Sequence, residues 1–264
     1  MGYLTGTVFS ESLNMDTDIG VILPHDSRYH RGFDTLAGGR KPRARPKTLL
    51  LLHGLTDNHN AWYGRTRLMF YAEQRDVAVV MADGVRSFYQ DMRNGEAYFT
   101  YICDELPRLM ETMFNVSCAP EDLLVAGLSM GGYGALKCVL THPERFAAAG
   151  AFSSAIHVEK YAERIPDRVE TRGFDRVVRG IFGEKPDVPA GALPERLAEK
   201  AFAGGKVPPI FMTCGTEDAL LPENEAFFDS LTALGADAVL EKWPGGHEWA
   251  FWDKSLRMFL DRFA

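Results

Sequence analysis

The sequence has no excess of basic residues. Among its 264 residues, 29 are Lys or Arg and 36 are Asp or Glu, which gives a formal net charge of −7. A protein that grips phosphate backbones normally carries a basic excess, so we expect no nucleic-acid partner. With 46% hydrophobic and 25% charged residues the chain is too apolar to be disordered, and its length suits a single α/β domain over residues 1–264.

Long apolar runs are also missing. No run approaches the roughly 18–20 residues that a membrane span needs, and the N-terminal residues show no secretory signal. The four cysteines have no C-x-x-C spacing, which favours reduced, unpaired thiols. We therefore expect a cytoplasmic protein that has no membrane partner.

Short apolar runs, typical of strands, alternate along the chain with stretches of helical spacing. This alternation predicts an α/β fold with a mostly parallel sheet of about eight strands and helices on both faces. In the helical stretch 98–114, Pro107 predicts a bend or a late helix start. Residues 156–206 are rich in Arg, Gly and Pro and too long for a simple loop, so we expect a helical cap inserted into the same domain.

Residues 127–131 read Gly-Leu-Ser-Met-Gly and fit the G-x-S-x-G pattern of a nucleophile elbow. The context supports the pattern, because a buried strand leads into it and a helix leads out. A nucleophilic hydroxyl has to stand clear of the sheet on a sharp turn, and flanking glycines let neighbouring backbones approach without Cβ clashes. Ser129 is therefore the candidate nucleophile, in preference to a small-residue turn without chemistry.

A nucleophilic serine needs a base, and the base needs an acid that orients it. In hydrolases with this elbow the order along the chain is serine, acid, histidine. Asp218 follows the apolar run at 210–214, and we favour it over the neighbouring Glu217 because it lies beside the apolar residues 219–221. His247 lies in a glycine-containing loop between the last strand and the last helix, so it is the candidate base.

The turn at His53 and Gly54 follows the first core strand, and the loop after such a strand supplies one backbone N–H of an oxyanion hole. The residue after the nucleophile supplies the other N–H, which points to Leu55 and Met130. We expect His53 to orient this loop by hydrogen bonding rather than to transfer protons. The other histidines are expected to be solvated in loops or to contact a helix end: His25, His30, His59, His142 and His157.

One window departs from the acidic balance of the chain. Residues 28–47 hold seven basic residues and one acid, Asp34. The window leads into the strand before His53 and so lies at the amino ends of the parallel strands, whereas the candidate catalytic groups lie at the carboxyl ends. We interpret it as a solvated loop rather than a functional basic patch.

Three segments together resemble the esterase D-like hydrolases. They are HGLTDNHNAW at 53–62, GLSMGGYG at 127–134 and GHEWAFW at 246–252. The chain looks most similar to bacterial tributyrin esterases, with feruloyl esterases, acetyl-xylan esterases and S-formylglutathione hydrolases as relatives. The resemblance implies an α/β-hydrolase fold and a serine esterase that needs no metal and no cofactor.

The resemblance also implies roles for particular residues. An aromatic residue in the first motif of the family lies near the substrate pocket, which points to Trp62. Asp57 stands where relatives often have a small residue, and the insert at 156–206 matches weakly, so both put the substrate preference in question. The catalytic groups of the family fall on residues already chosen: Ser129, Asp218, His247, Leu55 and Met130.

The expected reaction is two-step acyl transfer from a small ester to water, with a short-chain acyl or aryl group such as acetyl or hydroxycinnamoyl. Thioester hydrolysis of the S-formylglutathione type, and acyl transfer to another acceptor, share the first half-reaction and stay open. A non-catalytic binding module of the same fold is disfavoured because all three triad residues are present in order. Homo-oligomer formation stays open as well.

Overall fold

The computed structural model describes residues 1–24, 45–163, 174–184 and 187–264. Their strands are β1 (Gly2–Ser10), β2 (Met15–Leu23), β3 (Lys47–Leu52), β4 (Val77–Ala82), β5 (Leu123–Leu128), β6 (Ala148–Phe152), β7 (Ile210–Gly215) and β8 (Ala238–Trp243). They form one sheet in the order β1-β2-β4-β3-β5-β6-β7-β8. In this sheet β2 runs antiparallel to both of its neighbours, β1 and β4, and all the other neighbouring strands pair in parallel. The mostly parallel sheet of about eight strands is confirmed.

The central strands are buried on both faces because they consist almost entirely of apolar residues. In β3, Leu50 and Leu52 point into one hydrophobic core, whereas Leu49 and Leu51 point into a second core on the opposite face. Each core needs a layer of helices to cover it. The predicted helices on both faces supply that cover.

The described helices are α1 (Ala61–Arg65), α2 (Leu68–Arg75), α3 (Tyr98–Thr100), α4 (Leu106–Met113), α5 (Met130–Thr141), α6 (Val158–Glu163), α7 (Phe174–Phe182), α8 (Pro194–Gly204), α9 (Leu221–Ala233) and α10 (Trp249–Phe263). The core that contains Leu50 also contains buried residues of α4, α5, α7, α8 and α9. The core that contains Leu49 also contains buried residues of α1, α2 and α10. Because helices cover both faces of the sheet, a functional site is expected among the loops at the carboxyl ends of the parallel strands, as is usual in α/β sheets.

The helical stretch around Pro107 is interrupted, as predicted. A π-helical turn at Tyr101–Glu105 separates α3 from α4, and Pro107 lies in the first turn of α4. Proline has no N–H to donate, and its ring clashes with the carbonyl four residues earlier in a regular helix. The wider π turn removes that conflict.

The insert at 156–206 is helical where it is described. It contains α6, α7, a 3-10 turn at Ala190–Ala192 and α8, and α8 packs on α5. Residues 164–173 and 185–186 lie outside the described residues, so the cap and the single-domain organisation stay predictions. Most of the basic window, residues 28–44, lies outside them too. In the described parts of the chain, every helix is too short or too polar to cross a membrane.

Candidate active site

Ser129 lies on a strained turn between β5 and α5. Its φ is 53° and its ψ is −116°, a conformation that costs a non-glycine residue about 1–3 kcal/mol. Three main-chain hydrogen bonds hold it there: the Ser129 N–H donates to Phe152 O (2.8 Å), and Ser129 O accepts from the N–H of Tyr133 (3.1 Å) and Ala155 (3.2 Å). The surrounding backbone therefore stabilises the geometry expected of a nucleophile elbow.

The glycines of the elbow are needed because main chain packs directly on main chain. A Cβ at Gly127 would lie 2.4 Å from Gly131 O, and a Cβ at Gly131 would lie 2.4 Å from Leu52 O. At Gly132 it would lie 2.2 Å from Ser154 Oγ. No side chain fits at Gly127 or Gly131 without displacing the main chain beside it, and a side chain at Gly132 would have to displace the Ser154 side chain.

An acid–histidine pair forms between the loops that follow β7 and β8. His247 Nδ1 lies 2.9 Å from Asp218 Oδ2, and Asp218 Oδ1 accepts the Leu220 N–H at 2.9 Å. The Asp218 side chain is 1% exposed, whereas Glu217 is exposed. Burial alone would raise the pKa of Asp218, but the hydrogen bonds from His247 and Leu220 hold it below its usual range. The structure therefore pairs His247 with an ionised Asp218.

Main-chain contacts bring these two loops together. The Thr216 N–H donates to Trp243 O at 3.0 Å, which extends the pairing of β7 and β8 beyond the strands. A Cβ at Gly215 would lie 2.0 Å from Gly245 O. Gly245 itself has a φ of 150°, which L side chains rarely adopt. The glycines of both loops thus let the acid and the histidine approach each other.

His53 joins the turn after β3 to the turn after β4. Its ring is buried, Nδ1 lies 2.7 Å from Gly54 O, and Nε2 lies 2.9 Å from the Gly84 backbone nitrogen. Because Nε2 accepts from an N–H, the ring proton is on Nδ1. Burial lowers the pKa of His53 and keeps it neutral. Both ring nitrogens orient main chain, as the sequence interpretation of His53 expects.

The turn after β3 passes close to Ser129. A Cβ built on Gly54 would lie 3.8 Å from Ser129 Cβ and 3.0 Å from Asp57 Oδ2. Leu55 follows this turn and is half-buried, while Met130 is the buried first residue of α5. N–H groups in the first turn of a helix have no carbonyl partner within the helix, and a helix N-terminus favours negative charge. Both predicted oxyanion donors therefore lie on segments that meet at Ser129.

The expectation that His59 is solvated is wrong. His59 is 8% exposed, its N–H donates to Asp83 Oδ1 (2.9 Å), and its Nδ1 lies 3.0 Å from Asp83 Oδ2. The Asn60 side-chain amide contacts His59 Nε2 at 2.8 Å. One sequence signal could have indicated this contact: Asp83 directly follows β4, at the carboxyl edge of the sheet. The pair attaches the loop after β3 to the end of β4.

Trp62 lies in the core behind the site. It is 1% exposed, and its indole N–H donates to Leu52 O at 2.9 Å. Edge-to-face contacts run from Trp62 to Trp249 (5.4 Å between centroids), from Trp249 to Trp252 (5.3 Å) and from Trp252 to His247 (4.8 Å). Contact of Trp62 with substrate stays a prediction. The observed link to the site is through these aromatic rings.

Two groups of side chains in the described residues place potential metal ligands within 4.8 Å of one another. In one of them His59 is already hydrogen bonded to Asp83, and in the other Asp104 is paired with Arg145. Neither group contains a member of the Ser129, Asp218 and His247 set. The groups are Asp18, His59 and Asp83, and Cys103, Asp104 and His142.

A serine on a strained strand–helix turn, with a histidine–carboxylate pair supplied by two later loops, defines the α/β hydrolases. Residues 10–263 match the Esterase family model, described as "Putative esterase". The chain is 32% identical over 257 residues to an acetyl esterase of Caldicellulosiruptor saccharolyticus, covering 94% of this chain and 92% of that one. The chain therefore belongs to this esterase family, and it is a carboxylic ester hydrolase.

Two solved structures are similar over nearly their whole length. One is the fluorophosphonate-binding serine hydrolase F of Staphylococcus aureus, with a TM-score of 0.86, 28% identity and coverage of 99% of this chain and 98% of that one. The other is the S-formylglutathione hydrolase of Staphylococcus aureus, with a TM-score of 0.82, 28% identity and the same coverage. Both similarities support the α/β-hydrolase fold.

Proposed function

We propose that the protein hydrolyses small esters with Ser129 as nucleophile, His247 as general base and Asp218 as the acid that orients the base. The observation that carries the proposal is the 2.9 Å contact between His247 Nδ1 and the buried Asp218 carboxylate. Because Nδ1 faces the acid, Nε2 is the nitrogen left to accept the serine proton. The strained backbone of Ser129 supports its assignment as nucleophile.

The reaction has two acyl-transfer steps. Ser129 Oγ attacks the ester carbonyl carbon while His247 takes the hydroxyl proton, and the N–H groups of Leu55 and Met130 bind the resulting oxyanion. The tetrahedral intermediate collapses, and the alcohol leaves with the proton from His247. Water then loses a proton to His247 and attacks the acyl-enzyme, which releases the acid and restores the serine.

The proposed substrates are esters with short acyl groups, acetyl foremost. The acetyl esterase relative supports this choice, and the similar S-formylglutathione hydrolase structure supports a small acyl group on sulfur as a second substrate. Esters with aryl acyl groups such as hydroxycinnamoyl are further candidate substrates, and Trp62 is the proposed aromatic contact for them. We place the enzyme in the cytoplasm as part of the same proposal.

The test uses p-nitrophenyl esters from acetate to octanoate, with methyl ferulate and S-formylglutathione alongside. Wild type is compared with Ser129→Ala, and Ser230→Ala on α9 is the matched serine control. Loss of the nucleophile is expected to lower kcat by about 10⁴–10⁶, while the control keeps wild-type activity. The proposal is wrong if Ser129→Ala keeps full activity, or if wild type hydrolyses none of these substrates.

A further inference from the structure

A buried tyrosine joins the nucleophile helix to the oxyanion loop, defined here as residues 53–55. Tyr89 is fully buried, and its hydroxyl donates to His53 O at 3.0 Å. Its ring fits between two glycines, since a Cβ at either Gly84 or Gly134 would lie 2.5 Å from a ring carbon. Gly134 belongs to α5, the helix that begins after Ser129. Tyr89 therefore touches both segments that carry the proposed oxyanion donors.

The backbone that presents Tyr89 is strained. Phe88 and Tyr89 both have a φ of 48°, and such residues cost about 1–3 kcal/mol each. The Ser87 hydroxyl accepts the Tyr89 N–H at 3.0 Å and donates to Gly84 O at 2.6 Å. Two consecutive left-handed residues persist only where surrounding contacts hold them.

Lys137 supplies such a contact from α5. It is 5% exposed, and its ammonium donates to Tyr89 O at 3.1 Å and to Gln90 Oε1. The same ammonium lies 4.2 Å from the centroid of the Phe99 ring. Burial lowers the pKa of Lys137 to about 8. A charge is costly to bury unless it is well hydrogen bonded. The burial of Lys137 against this turn is therefore better explained by a role in holding the turn than by packing alone.

We infer that Lys137 and Tyr89 are positioning residues for the oxyanion loop. Lys137 fixes the strained turn at residues 88–89, and the Tyr89 hydroxyl then fixes the His53 carbonyl. That carbonyl belongs to the peptide immediately before the one that carries the Leu55 N–H. The inference rests on the proposed function, because it concerns the stabilisation of the oxyanion formed from Ser129.

The positions of oxyanion donors affect the transition state more than the bound substrate. A displacement of about 1 Å at a positioning contact can lower the rate by about 10²-fold, and we expect about 10-fold for the loss of one supporting hydrogen bond. The expected signature is a fall in kcat with KM unchanged. A trifluoromethyl ketone, whose serine adduct carries an oxyanion, should lose affinity by the same factor.

The experiment measures kcat and KM for p-nitrophenyl acetate and Ki for a trifluoromethyl ketone. The variants are Tyr89→Phe, Lys137→Met and the double variant. Tyr71→Phe removes a hydroxyl bonded to Asp253 on the other face of the sheet, and Lys254→Met removes a lysine that lies over the Trp243 ring. Both controls are expected to keep wild-type kinetics.

Tyr89→Phe and Lys137→Met are each expected to lower kcat and raise Ki about 10-fold. The kcat of the double variant should be lowered by no more than about the larger of the two single effects, because both residues act on one loop. Wild-type kcat and Ki in Tyr89→Phe, a raised KM alone, or additive losses would each overturn the inference. If Lys137→Met unfolds, Tyr89→Phe decides, since it removes a single oxygen. Inactivity of wild type in the Ser129 experiment would instead refute the proposed function.

Discussion

The two halves of the proposed active site hold their groups in different ways. In the nucleophile half, residues 53–55 and 127–132, the proposed catalytic groups are the strained Ser129 and two backbone N–H groups, and main chain packs on main chain around Gly127 and Gly131. In the acid–base half the proposed catalytic groups are side chains, and His247 is 38% exposed and contacts one carboxylate and one indole ring. A substitution in the first half should therefore change stability and activity together, whereas a substitution in the second half can remove activity and leave the fold intact.

The largest effect that sharpens this comparison is expected from Asp218→Asn. Without the carboxylate, His247 loses its preferred tautomer and the partner that stabilises its charged form, so kcat should fall about 10⁴-fold. The fold should survive, with Tm lowered by only a few degrees. Ester hydrolysis and thermal denaturation of the same preparation give both numbers. Glu217→Gln is the matched control, and a greater loss of activity from Glu217→Gln would assign the acid to Glu217.

An intermediate effect is expected from Gly131→Ala in the nucleophile half. The added Cβ would lie 2.4 Å from Leu52 O, so the strand or the helix has to move, at a cost of about 3 kcal/mol of unfolding free energy. Activity and stability should be lost together. Gly64→Ala is the control, because a Cβ there meets nothing within 4 Å and helix propensity favours alanine. Urea denaturation measures the unfolding free energy of both variants, and ester hydrolysis measures their activity. Equal stability of the two variants would contradict the difference drawn between the two halves of the site.

The smallest effect concerns pH. The pKa of Asp218 is held below its usual range in the folded state, so its ionised form contributes stability above the unfolded-state pKa. That contribution is lost as the pH falls through the folded-state pKa. The unfolding free energy of wild type should exceed that of Asp218→Asn by about 1 kcal/mol near neutral pH, and the gap should narrow on acidification. A gap that widens toward acid would contradict the assigned hydrogen bonds.

Much of the fold and of the candidate site could be predicted because the signals are local. Uninterrupted apolar runs such as 49–52 are typical of buried parallel strands. A serine between glycines at a strand–helix junction indicates a nucleophile elbow within five residues of sequence. The acid and the histidine followed from the order serine, acid, histidine along the chain and from their places after the last two strands. Each of these inferences uses short segments or strand order.

Contacts between distant residues escaped the sequence reasoning. The burial of His59 depends on Asp83, which lies on another strand end, and hydropathy alone would place Lys137 on the surface of its helix. Trp62 fills the core that contains Leu49, where α1 packs and the indole N–H donates to Leu52 O. Each outcome depends on which side chain meets which after the sheet has formed. Composition and periodicity contain no information on such pairs.

The approach of Gly215 to Gly245 has a kinematic consequence. The two loops touch through their main chains, and the Glu217 N–H donates to Gly245 O at 3.1 Å. Because of these contacts, we expect a displacement of one loop to carry the other with it. Asp218 and His247 would then keep their hydrogen bond while their distance from Ser129 changes.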